Sequence, residues 1–134
     1  MEYDFCKIKI EEAIQLSPLV LAYIGDAVFE MYVRMHIVGN GRYKTNTLHK
    51  MSIAYVSARA QAKILDRIFE QLNEKEKEIV RRGRNAHANT IPKNATIADY
   101  KKATAFEALI GYLFLMKNEA RLEEVIGWAL EESL

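Results

Sequence analysis

The chain has 134 residues, half of them hydrophobic and 28% charged, with six glycines, two prolines and a single cysteine. These values fit one compact domain, predicted to span 1–134, and exclude wholesale disorder, a collagen-like repeat and a disulfide-stapled secreted scaffold. The formal charge is +1, from 19 Lys and Arg against 18 Asp and Glu, so the total gives no sign of a strongly basic nucleic-acid binder.

The predicted elements are all helical. Residues 1–12 mix charges and lack a long apolar run, so no signal peptide is expected. Ser17 as N-cap and Pro18 at the first position open a helix that closes at Gly39 or Gly41. Its apolar run from Leu19 to Ile24 is cut at Gly25-Asp26 and again at Glu30. It is too short for a membrane span, so it predicts a buried helix, no membrane partner and a cytoplasmic location. Thr47 is the expected cap of a helix from Leu48 to about Leu72, with a break along the way. Asn73 and Glu76 form a capping box whose helix carries Arg81 and Arg82 near its end, with Gly83 as C-cap. The polar stretch 84–95, with Pro92 and several asparagines, predicts a long functional loop. Thr96 and Asp99 open a helix to about Lys117, and Leu122, Val125, Ile126, Ala129 and Leu130 form the apolar stripe of a last one. No segment alternates at period two, so the fold class is all-α.

Two apolar helices hold carboxylates. Pro18–Val38 is apolar almost all round, which predicts burial, yet it carries Asp26, Glu30 and Arg34 along one face. Glu107 is the only charge from Ala103 to Met116, with the small residues Ala103 and Gly111 one turn to either side. Buried carboxylates need a partner or a cation. The structural reading pairs Glu30 with Arg34, hydrogen-bonds Asp26 to a neighbouring helix, and gives Glu107 a partner such as Arg34 or Arg59. The alternative places Asp26 and Glu107 face to face across two packed helices around Mg²⁺, which accepts a few carboxylates plus waters. His36, His49 and His87 lack zinc-like spacing, and no phosphate loop or nucleophile elbow is present.

The basic residues are segregated. Residues 42–64 hold five (Arg42, Lys44, Lys50, Arg59, Lys63) and no acid. Residues 81–102 hold six (Arg81, Arg82, Arg84, Lys93, Lys101, Lys102) against Asp99. Interleaved with Asn46, Asn85, Asn89 and Asn94, these stretches suit contact with a phosphate backbone, and no stacking aromatics point to base reading. Lys44, Lys50, Arg81, Arg82, Arg84, Asn85 and Lys93 are the expected nucleic-acid-binding residues.

Tyr23-Ile24-Gly25-Asp26 and Phe106-Glu107-Ala108-Leu109 resemble the two signatures of the catalytic domain of the ribonuclease III family, in the family's order. The resemblance runs from about Leu16 to Leu130. Arg82-Gly83-Arg84-Asn85-Ala86, Leu48-His49-Lys50 and the expected lack of an appended double-stranded-RNA-binding domain resemble its short Mini-ribonuclease III branch. The resemblance implies the ribonuclease III endonuclease-domain helical fold. It also implies a Mg²⁺-dependent endoribonuclease that cleaves double-stranded RNA, leaving 5′-phosphate and 3′-hydroxyl ends, and matures precursor 23S ribosomal RNA. A homodimer is implied, with Tyr23, Ala27 and Val28 as candidate interface residues, and a ribosomal protein or pre-ribosome as a further partner. Asp26 and Glu107 carry over as catalytic and metal residues, with Gly25 and Thr104 supporting them. The sequence departs from the family at Leu19 and Ala22, where glutamates are usual, and at Thr104, where Asp is usual. The alternative reading is a catalytically inactive ribonuclease III-like RNA-binding or ribosome-associated scaffold. A third is a helical homodimer held by structural ion pairs, with no RNA.

Overall fold

The computed structural model describes residues 7–86 and 95–131. Lys93 and most of the predicted 84–95 loop lie outside these described residues. Among them the elements are α1 (Ile10–Ala13), α2 (Pro18–Gly39), α3 (Thr45–Val56), α4 (Ala58–Ile68), a 3₁₀ turn (Phe69–Gln71), α5 (Glu74–Arg84), α6 (Ile97–Leu115) and α7 (Glu119–Leu130), with no strand. The all-α expectation holds. No helix of the described residues is long and apolar enough to cross a membrane.

Helix α6 is the axis of the fold. Residues 103–106 and 108–113 are all buried, and α2, α4, α5 and α7 pack around it. Phe29 of α2 meets Phe106 of α6 edge to face at 4.9 Å, inside a core that also includes Leu21, Val33, Ile68, Ile79, Leu109 and Val125. Opposite the core, Arg121 of α7 pairs at 2.8 Å with the buried Glu76 of α5.

The caps explain most boundaries. Ser17 accepts from the Val20 N–H, Asn73 and Glu76 complete their capping box, and Thr96 accepts from the Asp99 N–H. Three expectations are corrected. Thr47 lies inside α3, which starts at Thr45 after Lys44, and it is Ser57 that divides α3 from α4 and caps the latter through the Ala60 N–H. Gly83 does not end α5, which runs through Arg84 to a cap at Asn85. Gly83 is instead a packing glycine, since a Cβ there would stand 2.7 Å from the Ala105 Cα of α6.

The third correction concerns burial. Helix α2 has a buried face of Leu21, Gly25, Val28, Phe29, Val33 and Ile37. Val20, Tyr23, Met31, Met35 and Val38 are exposed, Tyr23 at 80%. With exposed Ala27 they follow helical spacing and form one apolar stripe along the solvent side.

Candidate active site

Helices α2 and α6 approach as closely as two backbones can. A Cβ on Gly25 would lie 1.7 Å from the Glu107 carbonyl oxygen, and one on Gly111 would lie 1.9 Å from the Leu21 carbonyl oxygen. Only glycine at both positions permits this crossing. Gly25 on α2 and Gly111 on α6 are the two positions where the helices meet backbone to backbone.

The crossing brings the two predicted carboxylates together. Asp26 follows Gly25 on α2 and is exposed, while Glu107 lies mostly buried on α6. Their side chains are hydrogen-bonded to each other. Burial first, and then the neighbouring Asp26 charge and hydrogen bond, push the Glu107 carboxyl up to about 8, against an opposing pull from the Gln61 amide. At neutral pH Glu107 therefore carries a proton and donates it to the Asp26 carboxylate. The predicted pairing of Glu30 with Arg34 is present at 2.9 Å, so Arg34 does not serve Glu107, and neither does the exposed Arg59.

Thr104 lies one turn before Glu107 on α6 and is 6% exposed. Among the described residues no group of three or more His, Cys, Asp or Glu side chains gathers as a metal cage. The pair alone still fits a hard divalent cation. Two adjacent carboxyl groups, one of them partly buried and held neutral by a proton, gain from a cation that replaces the proton, and Mg²⁺ is commonly bound by one or two carboxylates with waters completing its shell. The structure also supplies a residue that the sequence reading missed. Gln61 of α4, 1% exposed, hydrogen-bonds Glu107. Its only sequence signal was an amide on the helix face shared by Ile64, Leu65 and Ile68.

The proton on Glu107 has a measurable consequence. In the unfolded chain this group titrates near 4.5, and in the fold near 8. Between those values the unfolded state has lost a proton that the folded state keeps, so stability falls as pH rises through that window and levels off above it. Without divalent cations, the melting temperature is expected to drop between about pH 5 and pH 8, and Glu107→Gln is expected to flatten that slope. An equal slope in the variant would show that another group sets it.

The predicted RNA-binding residues divide into two sets. Lys44 and Lys50 are exposed at the start and on the side of α3, which packs on α2. Arg81, Arg84 and Asn85 are exposed at the end of α5, and the contact of Gly83 with Ala105 sets that end against α6 two residues from Glu107. The two sets thus stand on different helices, one attached to each partner of the crossing. Arg82 is different. Its guanidinium donates to the Ile14 carbonyl at 2.9 Å and the Leu16 carbonyl at 3.1 Å. It ties the segment before α2 to α5, so its charge is committed to structure. The expectation of Val28 as an interface residue is also corrected, since Val28 is buried in the core, while Tyr23 and Ala27 are exposed.

Residues 19–118 match the family model of the ribonuclease III domain. The chain is 49% identical over 121 residues to the Mini-ribonuclease 3 of Thermoanaerobacter sp. (strain X514), covering 90% of this chain and 85% of that protein. It is 46% identical over 120 residues to the Mini-ribonuclease 3 of Enterococcus faecalis, covering 88% and 91%. A crystal structure of a Fusobacterium nucleatum protein, 35% identical, superposes with a TM-score of 0.81 over 92% of this chain and 98% of that one. By its helical fold, its two signature segments and these similarities, the chain belongs to the ribonuclease III family, within the group of the Mini-ribonucleases 3.

Proposed function

We propose that the chain is a divalent-cation-dependent endoribonuclease that cleaves double-stranded RNA and matures precursor 23S ribosomal RNA in the cytoplasm. The observation that carries this reading is the Asp26–Glu107 pair, two carboxyls brought into hydrogen-bond contact by a backbone crossing that only Gly25 and Gly111 allow. A carboxyl pair held this close, with no ion pair to a basic side chain among the described residues, suits a cation and a phosphodiester better than a structural role.

Asp26 and Glu107 would hold Mg²⁺. The chemistry that Mg²⁺ supplies in such a site is neutralisation of phosphate charge and activation of water, which leaves 5′-phosphate and 3′-hydroxyl ends. Asp26, at the surface, is the carboxylate that reaches the backbone of a bound duplex. Glu107, the more buried of the two, would hold the cation as its carboxylate, its proton passing to solvent water. Thr104 offers a neutral hydroxyl one turn away, where further charge would add repulsion. Arg81, Arg84, Asn85, Lys44 and Lys50 contact phosphates on either side, and with Lys93 they give salt-sensitive binding that does not read sequence.

The exposed stripe on α2 supports a homodimer. It lies on the helix that bears Asp26, so a two-fold axis through it sets two sites side by side, one for each strand of a duplex. A ribosomal protein or pre-ribosome is the further partner in this reading.

Incubation with a long RNA duplex tests the reading. Cleavage with Mg²⁺ and none with chelator supports it. Binding without cleavage in Mg²⁺ would favour the inactive scaffold, and absence of both would favour a helical dimer that does not engage RNA.

A further inference from the structure

Gln61 is the least exposed of the buried polar side chains, and packing alone does not account for it. It sits on the inner face of α4 with Ala62, Ile64, Leu65 and Ile68. Its Nε2 donates to the Val56 carbonyl at 3.3 Å, across the break between α3 and α4, and its amide also hydrogen-bonds Glu107. Its Oε1 is buried with no hydrogen-bond partner. An apolar residue of similar volume would avoid that unmet acceptor, so the amide costs the fold stability. A side chain that breaks the rule for a core position and hydrogen-bonds the partly buried carboxyl of the site marks a functional constraint.

We propose that Gln61 is the positioning residue of the carboxylate pair: from α4 its amide fixes the Glu107 side chain against Asp26. This inference rests on the proposed function. Glu107 has a long side chain with several rotamers, and a site with only two carboxylates has no spare ligand to compensate for a misplaced one. Asp26 holds Glu107 from α2 and Gln61 holds it from α4, so three helices converge on one carboxyl. The second amide hydrogen goes to Val56, which locks the Gln61 rotamer in turn.

The test is Gln61→Leu, close in volume and free of the unmet oxygen, with Gln61→Met as a second variant of the same kind. Mn²⁺ affinity is read on the RNA-free protein by electron paramagnetic resonance, with cleavage kinetics and melting temperature alongside. The expected result is a melting temperature equal to or above that of the wild type, about fivefold or more weaker Mn²⁺ binding, kcat at saturating Mg²⁺ lower by about tenfold or more, and an unchanged KM for RNA. Wild-type Mn²⁺ affinity and kcat in both variants would overturn the positioning role and leave the proposed function standing. Losses that appear only together with a fallen melting temperature in both variants would also overturn it, since the residue would then be structural. If the wild type neither binds Mn²⁺ nor cleaves duplex RNA, the proposed function and this inference fall together.

Discussion

Gly25→Ala is expected to lower stability by about 4 kcal/mol or more and the melting temperature by about 10 °C or more. One methyl group in a well-packed core usually costs about 1–3 kcal/mol, because side chains move aside. Here the new Cβ would stand 1.7 Å from the Glu107 carbonyl oxygen, 2.7 Å from its carbon and 2.8 Å from the Gly111 nitrogen. All three are backbone atoms, so relief requires that α2 and α6 separate along their length. Separation would also pull Asp26 away from Glu107, so cleavage should fall further than the residual folded fraction accounts for. Gly111→Ala should behave alike, its Cβ 1.9 Å from the Leu21 carbonyl oxygen. Gly127→Ala is the control. Nothing lies within 4 Å of a Cβ there, and the position is inside α7. That change should stabilise by about 0.5–1 kcal/mol through helix propensity alone. Thermal melts of the three variants check the contrast in sign, and a Gly25→Ala protein as stable as the wild type would refute the backbone crossing.

The site was more legible in the sequence than the surface around it. Asp26 and Glu107 stood out because a carboxylate inside an apolar helix needs a reason, and the small residues near them foretold a close approach. Periodicity could not divide the apolar residues of α2 between the core and the solvent side, since a stripe that awaits a partner has the same hydrophobicity as one that faces the interior. Gly83 sat where a C-cap is usual, and its true role depends on Ala105, which only the tertiary structure brings near. Arg82 looked like its neighbours Arg81 and Arg84, yet the fold points it at the carbonyls of Ile14 and Leu16. Gln61 gave only a weak signal, its place on an apolar face, because a glutamine in a helix ordinarily faces water. Charge total misled at first for a simple reason: +1 is the sum of basic stretches at 42–64 and 81–102 and acidic ones elsewhere.

Asp26→Asn is expected to reduce cleavage by about a thousandfold or more, a loss of roughly 4 kcal/mol of transition-state stabilisation. The substitution keeps volume and shape but removes the exposed charge of the pair. Folding should be unharmed, because Asp26 is exposed and its burial cost is small, and loss of its negative charge relieves repulsion when Glu107 ionises. RNA affinity should hold as well, because the proposed phosphate contacts lie on α3 and α5. Stability and binding thus separate from catalysis in one variant. The decisive measurement is the single-turnover rate of duplex RNA cleavage in saturating Mg²⁺, for the wild type and Asp26→Asn at enzyme concentrations where both bind the RNA fully. Rapid cleavage by the wild type and none above background by Asp26→Asn is the predicted result. Equal rates for the two proteins would contradict the assignment of the Asp26–Glu107 pair as the catalytic centre.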